Sequence, residues 1–402
     1  MEEQKIKACI QEVLQRAVEE QEIAGANALV LHHGKEVTYV QAGFADIAEK
    51  KAIQRDTIFR IFSMTKPVTG AAAMILMEQG KLDLAEPVSK FLPGFRMQMV
   101  QEGDKLVPAN RDVTVHDLLS MTSGIAYPGD LSCEPMRGTF EVYQNVERNR
   151  ASDKPWDTQK VANELGRCPL KFQPGTMWDY GASADVMGAV IEAVSGKRFS
   201  VFLQENLFEP LEMKDTGFYV PSEKQERLAK VYQRQEEMLT EYSKNHLGVS
   251  IAMSQPPQFE TGGAGLVSTI DDYAKFAQML LHGGKAHGRR ILHPETIRYF
   301  TGGRLNAEQQ MGMGWVHIAG YSYGNFMRVM REPGRAAILT SKGEYGWDGW
   351  LGTYFANHPK LDLTFIMMTQ RTEGGTLSVT RKLCNTVFTC ISSLESGGKI
   401  GF

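Results

Sequence analysis

Ser63-Met64-Thr65-Lys66 places a hydroxyl and an amine three residues apart. On a helix that spacing puts both groups on one face, within hydrogen-bond reach. A serine hydroxyl is a weak nucleophile near neutral pH until a base sits beside it. A lysine becomes such a base when burial or a neighbouring group lowers its pKa. The chemistry would then be attack on an acyl carbon. The same residues also describe a helix cap and a solvated lysine, and a chain of 402 residues should hold about one S-x-x-K by chance. Ser396-Gly397-Gly398-Lys399 repeats the spacing in a Gly-rich tail that cannot keep the two side chains in register. Further groups must therefore decide between the readings.

Two other stretches carry suitable groups. Trp178-Asp179-Tyr180-Gly181-Ala182-Ser183-Ala184-Asp185 leads into a helix. Its dipole and a nearby lysine could lower the Tyr180 phenol pKa and let it exchange protons with Ser63. A tyrosine there is equally a packing residue with a polar tip. Ser183 is rejected as a nucleophile, because Asp185 stands where the G-x-S-x-G elbow needs its last glycine. Gly346-Trp347-Asp348-Gly349-Trp350-Leu351-Gly352 runs into a strand, and its glycines would let a substrate approach the backbone. An N–H of this turn and that of Ser63 could form an oxyanion hole. A Gly/Trp-rich turn before a core strand fits the same residues.

These groups must be held by regular elements. Apolar Ile58, Phe59, Ile61 and Phe62 precede the motif, and a helix is expected over 68–79, stopped by Gly80. Pro67 suits a first helical turn. Residues 4–20 read as an amphipathic helix, and 26–33 and 36–42 as strands around Gly34-Lys35. Thr114-Val115-His116-Asp117 is a capping box for a helix ending near Gly124, and 182–194 forms another helix closed by Gly196. Thr269-Ile270-Asp271-Asp272 caps a helix running through Leu281 to Gly283-Gly284. Strands follow at 315–318, 336–340, 353–357 and 364–369, and a last helix at 377–391. The pattern predicts an α/β (α+β) fold: an antiparallel sheet built from both termini and flanked by helices. Residues 1–65 plus 262–402 would form that sheet domain. Residues 66–261 would form a mostly helical insertion domain, with the active site in the cleft between them.

Composition narrows the function. Hydrophobic residues at 42% and charged residues at 23% suit a globular enzyme of one large or two closely joined domains. A formal net charge of −3 gives no footprint for nucleic acid. No apolar run is long enough for a membrane span. The N-terminal residues lack a signal-like basic and apolar pattern, and five scattered cysteines without C-x-x-C spacing fit reduced thiols, so a cytoplasmic location is expected. None of the nine histidines has H-E-x-x-H spacing, and His32-His33 read as surface residues at a hairpin end, so no metal and no cofactor is expected. A Ser-His-Asp triad is recognised by geometry rather than spacing, but no serine is better placed than Ser63. Nothing in the sequence specifies an oligomeric state.

Together, the S-x-x-K, tyrosine and glycine-containing motifs resemble the serine β-lactamases and penicillin-binding proteins. The stretches Phe59-Arg60-Ile61-Phe62-Ser63-Met64-Thr65-Lys66, Leu118-Leu119-Ser120-Met121-Thr122-Ser123-Gly124 and Gly263-Ala264-Gly265-Leu266-Val267-Ser268-Thr269 look like the class C branch. Within it the chain is most similar to family VIII carboxylesterases and related acyltransferases, over about residues 20–390. The resemblance implies a β-lactamase/transpeptidase-like fold in which Ser63 is acylated, Lys66 is its proton partner and Tyr180 matches the proposed general base. It also implies that Trp347, Asp348 and Gly349 border the substrate where lactamases carry K-T-G, with the Trp350 N–H as second oxyanion donor. Two departures bear on the substrate. Ala182 stands where Y-x-N has an amide-binding asparagine, and Trp347 where a lysine would hold a lactam carboxylate. Using Ser341-Lys342-Gly343 instead would lose the match over 347–355.

The expected activity is thus a serine carboxylesterase acting on a small-molecule ester through a Ser63 acyl-enzyme, with possible transfer to another acceptor. A class C-type β-lactamase or D-Ala-D-Ala carboxypeptidase using the same residues is the alternative. A catalytically idle ligand-binding relative is the second.

Overall fold

Eight antiparallel strands form one sheet, drawn from the two ends of the chain. The computed structural model describes residues 2–397. Strands β1 (Gly25–His32), β2 (Lys35–Asp46) and β3 (Lys51–Ala52) come from the N-terminal part. Strands β4 (Tyr321–Gly324), β5 (Met327–Met330), β6 (Tyr345–Asp348), β7 (Tyr354–His358) and β8 (Leu363–Thr369) come from the C-terminal part. The order is β4-β5-β6-β7-β8-β1-β2-β3, so the pairing of β8 with β1 joins the two ends.

Helices α1 (Glu2–Glu19), α2 (Thr65–Glu78), α3 (Ser183–Ser195), α4 (Ile270–Leu281) and α5 (Ser378–Glu395) carry most of the packing relevant to the site. Ile6, Ile10 and Leu14 of α1 meet Leu383, Val387 and Ile391 of α5 over Phe365 and Met367 of β8. Ile366 and Met368 face the other way, into the core that holds Phe276 and Ala277 of α4. A strand covered on both faces needs no polar side, which is why the middle of β8, Phe365 to Met368, reads as a continuous apolar run. Helix α2 is the central rod of the helical part. Its residues from Thr65 through Leu76 are buried, and α3 packs along it. A helix buried all round is apolar all round, so a lysine in its first turn cannot reach water.

The segment between the two sheet halves adds the helices Glu134–Asn149, Thr158–Arg167 and Phe199–Leu203. It also holds two small hairpins, Met99–Glu102 with Lys105–Pro108 and Tyr232–Gln235 with Met238–Glu241. The Thr114 capping box forms. At Thr269 only half of one does: the hydroxyl accepts from the Asp272 N–H, while the Asp272 carboxylate turns to the Asp215 N–H.

Two expected strands are absent. Residues 316–318 form a 3-10 turn, and 336–340 are irregular, with Leu339 half exposed and its N–H donated to Asn385. β6 already has β5 and β7 as neighbours, so the 336–340 segment has no ladder to join. Strands β4, β5 and β6 stand in this region instead. The β4–β5 turn passes through Asn325 and Phe326 at φ +51° and +67°. This is the left-handed pair a tight hairpin requires; Asn325 tolerates it readily, whereas Phe326 does so only because the hairpin holds it there. Lys399, of the second S-x-x-K, lies outside the described residues.

Candidate active site

Ser63 sits in the 3-10 turn Phe62–Met64, which runs directly into α2. The turn is held tightly. Phe62 has φ +40°, a left-handed conformation that costs an aromatic residue about 1–3 kcal/mol. Buried Arg60 donates to the carbonyls of Ile251 (2.7 Å) and Ala229 (2.6 Å). One helical turn on, the fully buried Lys66 Nζ lies 3.1 Å from Ser63 Oγ, 3.1 Å from the Tyr127 hydroxyl and 2.9 Å from the Gly263 carbonyl. Burial drops the Lys66 pKa to about 7, against the opposing pull of Asp185 and Asp348. A neutral amine has two N–H groups and one lone pair. The Gly263 carbonyl can only accept and Tyr127 can take the second N–H, which leaves the lone pair for the Ser63 proton.

Tyr180 ends the loop before α3. The next residue must be glycine, since a Cβ at Gly181 would lie 1.8 Å from the Ile125 carbonyl oxygen. This close approach brings Tyr180 against Tyr127, with ring centroids 5.8 Å apart. Lys66 Nζ lies 4.6 Å from the centroid of the Tyr180 ring, and the Trp347 indole N–H donates to the Tyr180 oxygen at 3.0 Å. The lowered phenol pKa expected from the helix dipole and the lysine is not found. Burial raises it well above the usual tyrosine range, and hydrogen bonding with Ser63 and Trp347 offsets only part of that rise. A dry site penalises a phenolate more than one helix terminus can repay.

Several groups in this network carried no motif. Asp185, in the first turn of α3, accepts from Tyr143 OH at 2.6 Å and from the Gly263 N–H at 2.9 Å. It thereby anchors the backbone at Gly263, whose own carbonyl, in the next peptide unit, receives Lys66. An acidic residue at the start of an otherwise apolar helix was the one available signal for Asp185; Tyr127 and Tyr143 had none.

The third motif closes the site from the sheet. At the end of β6, Asp348 meets buried Arg328 at 3.3 Å, and Arg328 also donates to the Phe355 carbonyl at 3.2 Å. A Cβ at Gly349 would lie 2.5 Å from the Ile61 carbonyl oxygen, so this turn lies directly on the segment that carries the nucleophile. Thr353 Oγ1 donates to the same carbonyl at 3.2 Å. The Trp350 ring centroid lies 5.2 Å from that of Phe62, and His246 stacks on Trp350 at 4.0 Å with 12° between planes. Burial brings the His246 pKa down to about 4, so the stacked ring is neutral. Among the described residues, the backbone N–H groups of Ser63 and Trp350 donate to no backbone acceptor.

A cavity of about 460 Å3 opens here, lined by Ser63, Tyr180, Trp315, His317, Trp347 and Asp348 among others. One side is aromatic, and the other is formed by the turn from Glu373 to Thr376. Ala182 is buried and offers no polar group, while Lys342 is exposed and lies outside the cavity. A cavity of about 510 Å3 elsewhere includes Ser200, but that hydroxyl donates to Glu260 at 2.7 Å, a carboxylate already engaged by the Ser200 N–H and by Arg198. All five cysteines are free thiols, and no helix among the described residues is long and apolar enough to cross a membrane.

The family model described as Beta-lactamase matches residues 10–382. The chain is 33% identical to Protein Rv1367c of Mycobacterium tuberculosis (strain ATCC 25618 / H37Rv), over 87% of this chain and 86% of that protein. It is 28% identical to Esterase EstB of Burkholderia gladioli, over 92% of each. Among solved structures, "EstCE1, a hydrolase with promiscuous acyltransferase activity" superposes with a TM-score of 0.81 at 25% identity, covering 96% of this chain and 99% of that one. Simvastatin Synthase (LovD) from Aspergillus terreus, at 22% identity and a TM-score of 0.78 over 97% and 99% of the two chains, shares the fold.

Proposed function

The chain belongs to the beta-lactamase family, and we propose that it is a serine hydrolase of neutral carboxylic esters acting through a Ser63 acyl-enzyme. The observation that carries the reading is Lys66: a buried amine 3.1 Å from the Ser63 hydroxyl with its pKa brought down to about 7. In the proposed step, Ser63 Oγ attacks the ester carbonyl while its proton passes to the Lys66 lone pair. The Ser63 and Trp350 N–H groups receive the oxyanion. Lys66 returns the proton to the departing alcohol as the C–O bond breaks. Water then attacks the acyl-enzyme by the same route in reverse, and a second alcohol in its place would make the reaction an acyl transfer.

Tyr180 acts in this scheme as a neutral phenol. Fixed by the Trp347 indole, it orients the Ser63 hydroxyl instead of serving as an anionic base. Trp347, Asp348 and Gly349 form the wall and turn beside the substrate. The esterase and acyltransferase relatives support a carboxylic ester as the substrate class. An anionic lactam would find an indole where it needs a cation and Ala182 where it needs an amide, and an unmatched polar group weakens recognition strongly. Free cysteines support a cytoplasmic location.

The test is a panel of p-nitrophenyl esters, thioesters and nitrocefin, with a fluorophosphonate probe on the intact chain. Ester turnover and labelling at Ser63 are expected. Rapid nitrocefin hydrolysis with negligible ester turnover would favour a lactamase, and absence of labelling an idle relative.

A further inference from the structure

The second polar cluster of the molecule lies at the other end of the sheet. β1 ends at His32, and the chain turns through His33 and Gly34, at φ +50° and +70°, into β2. Successive side chains of a strand point to opposite faces. The left-handed His33 breaks that alternation and lays both imidazoles side by side, with centroids 4.0 Å apart and planes tilted by 39°. The last turn of α5 brings Glu395 against both rings. Its Oε1 lies 2.9 Å from His32 Nε2 and 2.9 Å from His33 Nε2. His32 Nε2 is shielded from solvent, yet its contact with Glu395 lacks hydrogen-bond geometry.

A further carboxylate lies behind this set. Asp362 Oδ2 is 3.2 Å from His33 Nδ1, and its Oδ1 is 3.2 Å from His282 Nε2. With the His33 Nδ1–H donated to Asp362, the Nε2 lone pair points at the Glu395 oxygen. Two acceptors facing each other at 2.9 Å repel unless a cation, a proton or a metal ion, lies between them. A carboxylate behind a histidine that fixes its tautomer is also the usual outer arrangement of a metal site.

We propose that His32, His33 and Glu395 bind one divalent ion of the zinc type, through two imidazole nitrogens and one carboxylate oxygen. Their ligand atoms all lie within 4.8 Å of one another. Two nitrogen ligands suit Zn2+, Co2+ or Ni2+, whereas Mg2+ and Ca2+ take oxygen. Three protein ligands leave a fourth position for water. The ion would clip the first hairpin to the end of the last helix, joining His33 to Glu395 across 362 positions of sequence. It would not touch the ester site. Asp348 pairs with Tyr354, Tyr354 with Met367 and Met367 with Ala28. Ala28 is about 13 Å along β1 from His32, at 3.3 Å per residue.

The test uses the full, tag-free chain after chelator treatment, titrated with Zn2+ and with Co2+, and with Mg2+ as control. One equivalent of Zn2+ should bind and raise Tm, and Co2+ should give visible d–d bands; Mg2+ should do neither. His33→Ala should weaken binding at least 100-fold, and Glu395→Gln and Asp362→Asn about tenfold or more, with kcat on p-nitrophenyl butyrate unchanged. Circular dichroism confirms that each variant is folded. Absence of Zn2+ binding at micromolar concentration would overturn the proposal, as would a folded His33→Ala protein that binds as tightly as wild type. A Tm that responds to pH but not to Zn2+ would assign the cluster to protons alone, and would equally overturn it.

Discussion

Lys66 and His33 are both basic groups held by short polar contacts, yet their surroundings act on them in opposite directions. Lys66 is fully buried in the first turn of an apolar helix, and no carboxylate is among its hydrogen-bond partners; its pKa falls to about 7. His33 is mostly exposed and touches both Glu395 and Asp362; hydrogen bonds to these carboxylates raise its pKa. Desolvation decides the first case and partners the second. A lysine robbed of water becomes a base, whereas a histidine given two carboxylates holds a cation.

The sharpest way to break this contrast is at the cleft. Ser63→Ala should lower kcat on p-nitrophenyl butyrate by about 10^4 or more, as loss of a nucleophile does elsewhere. Lys66→Arg should cost about 10^3, because a guanidinium cannot lose its proton to become a base. Wild type should show an acid limb in kcat/KM near pH 7, where Lys66 becomes neutral. A pH-rate profile without that limb would remove Lys66 from the base role. Trp347→Phe keeps the aromatic wall but deletes the indole donor to Tyr180. It should lower kcat about tenfold with little change in KM, the worth of about 1.4 kcal/mol.

The smallest effect concerns stability, and its sign differs between the two sites. His33 has a raised pKa in the folded state, so its pairing stabilises the fold at pH below the ordinary histidine value of 6.5 and fades as pH rises through the raised one. Lys66 has a lowered pKa, so its contribution to stability rises as pH climbs from about 7 toward the ordinary lysine range. Metal-free His33→Ala should therefore lose a little Tm at pH 5.5 and almost none at pH 9, as read by thermal unfolding. An equal loss at both values would show that packing, and not charge, holds the cluster.

Local signals mark the parts of the site that lie within a few residues of one another. The Ser63–Lys66 spacing, the glycine after Tyr180 and the glycines around Trp347 each solve a problem at their own position in the chain. Gly181 and Gly349 could be noticed in the sequence, but the backbone they approach, at Ile125 and Ile61, could not. Tyr127, Tyr143 and the Gly263 carbonyl reach Lys66 or Asp185 only through the packing of α2 against α3 and its neighbours. The same limit misplaced two of the four strands expected in the C-terminal half, while those at 353–357 and 364–369 formed. The β4–β5 turn carries Gly324-Asn325 but also puts the aromatic Phe326 in the left-handed region, while apolar residues 336–340 looked like a strand that has no ladder to join.

The amino-acid sequence by itself determined the family, the sheet built from both ends of the chain, and the residues Ser63, Lys66, Tyr180 and Trp347 as the ones to watch. The family and Trp347 follow from the resemblance of short motifs, and the rest from short-range spacing and apolar runs, which any copy of the chain carries before it folds. Only the tertiary structure decided their chemical state. Lys66 is a candidate base because the core strips it of water, and Tyr180 stays a neutral phenol for the same reason. His32 and His33, which read as surface residues without metal spacing, became a three-ligand cluster only when the left-handed turn and the end of α5 met. Protonation and ligand geometry depend on what surrounds a group in space, and that is settled by packing between distant segments.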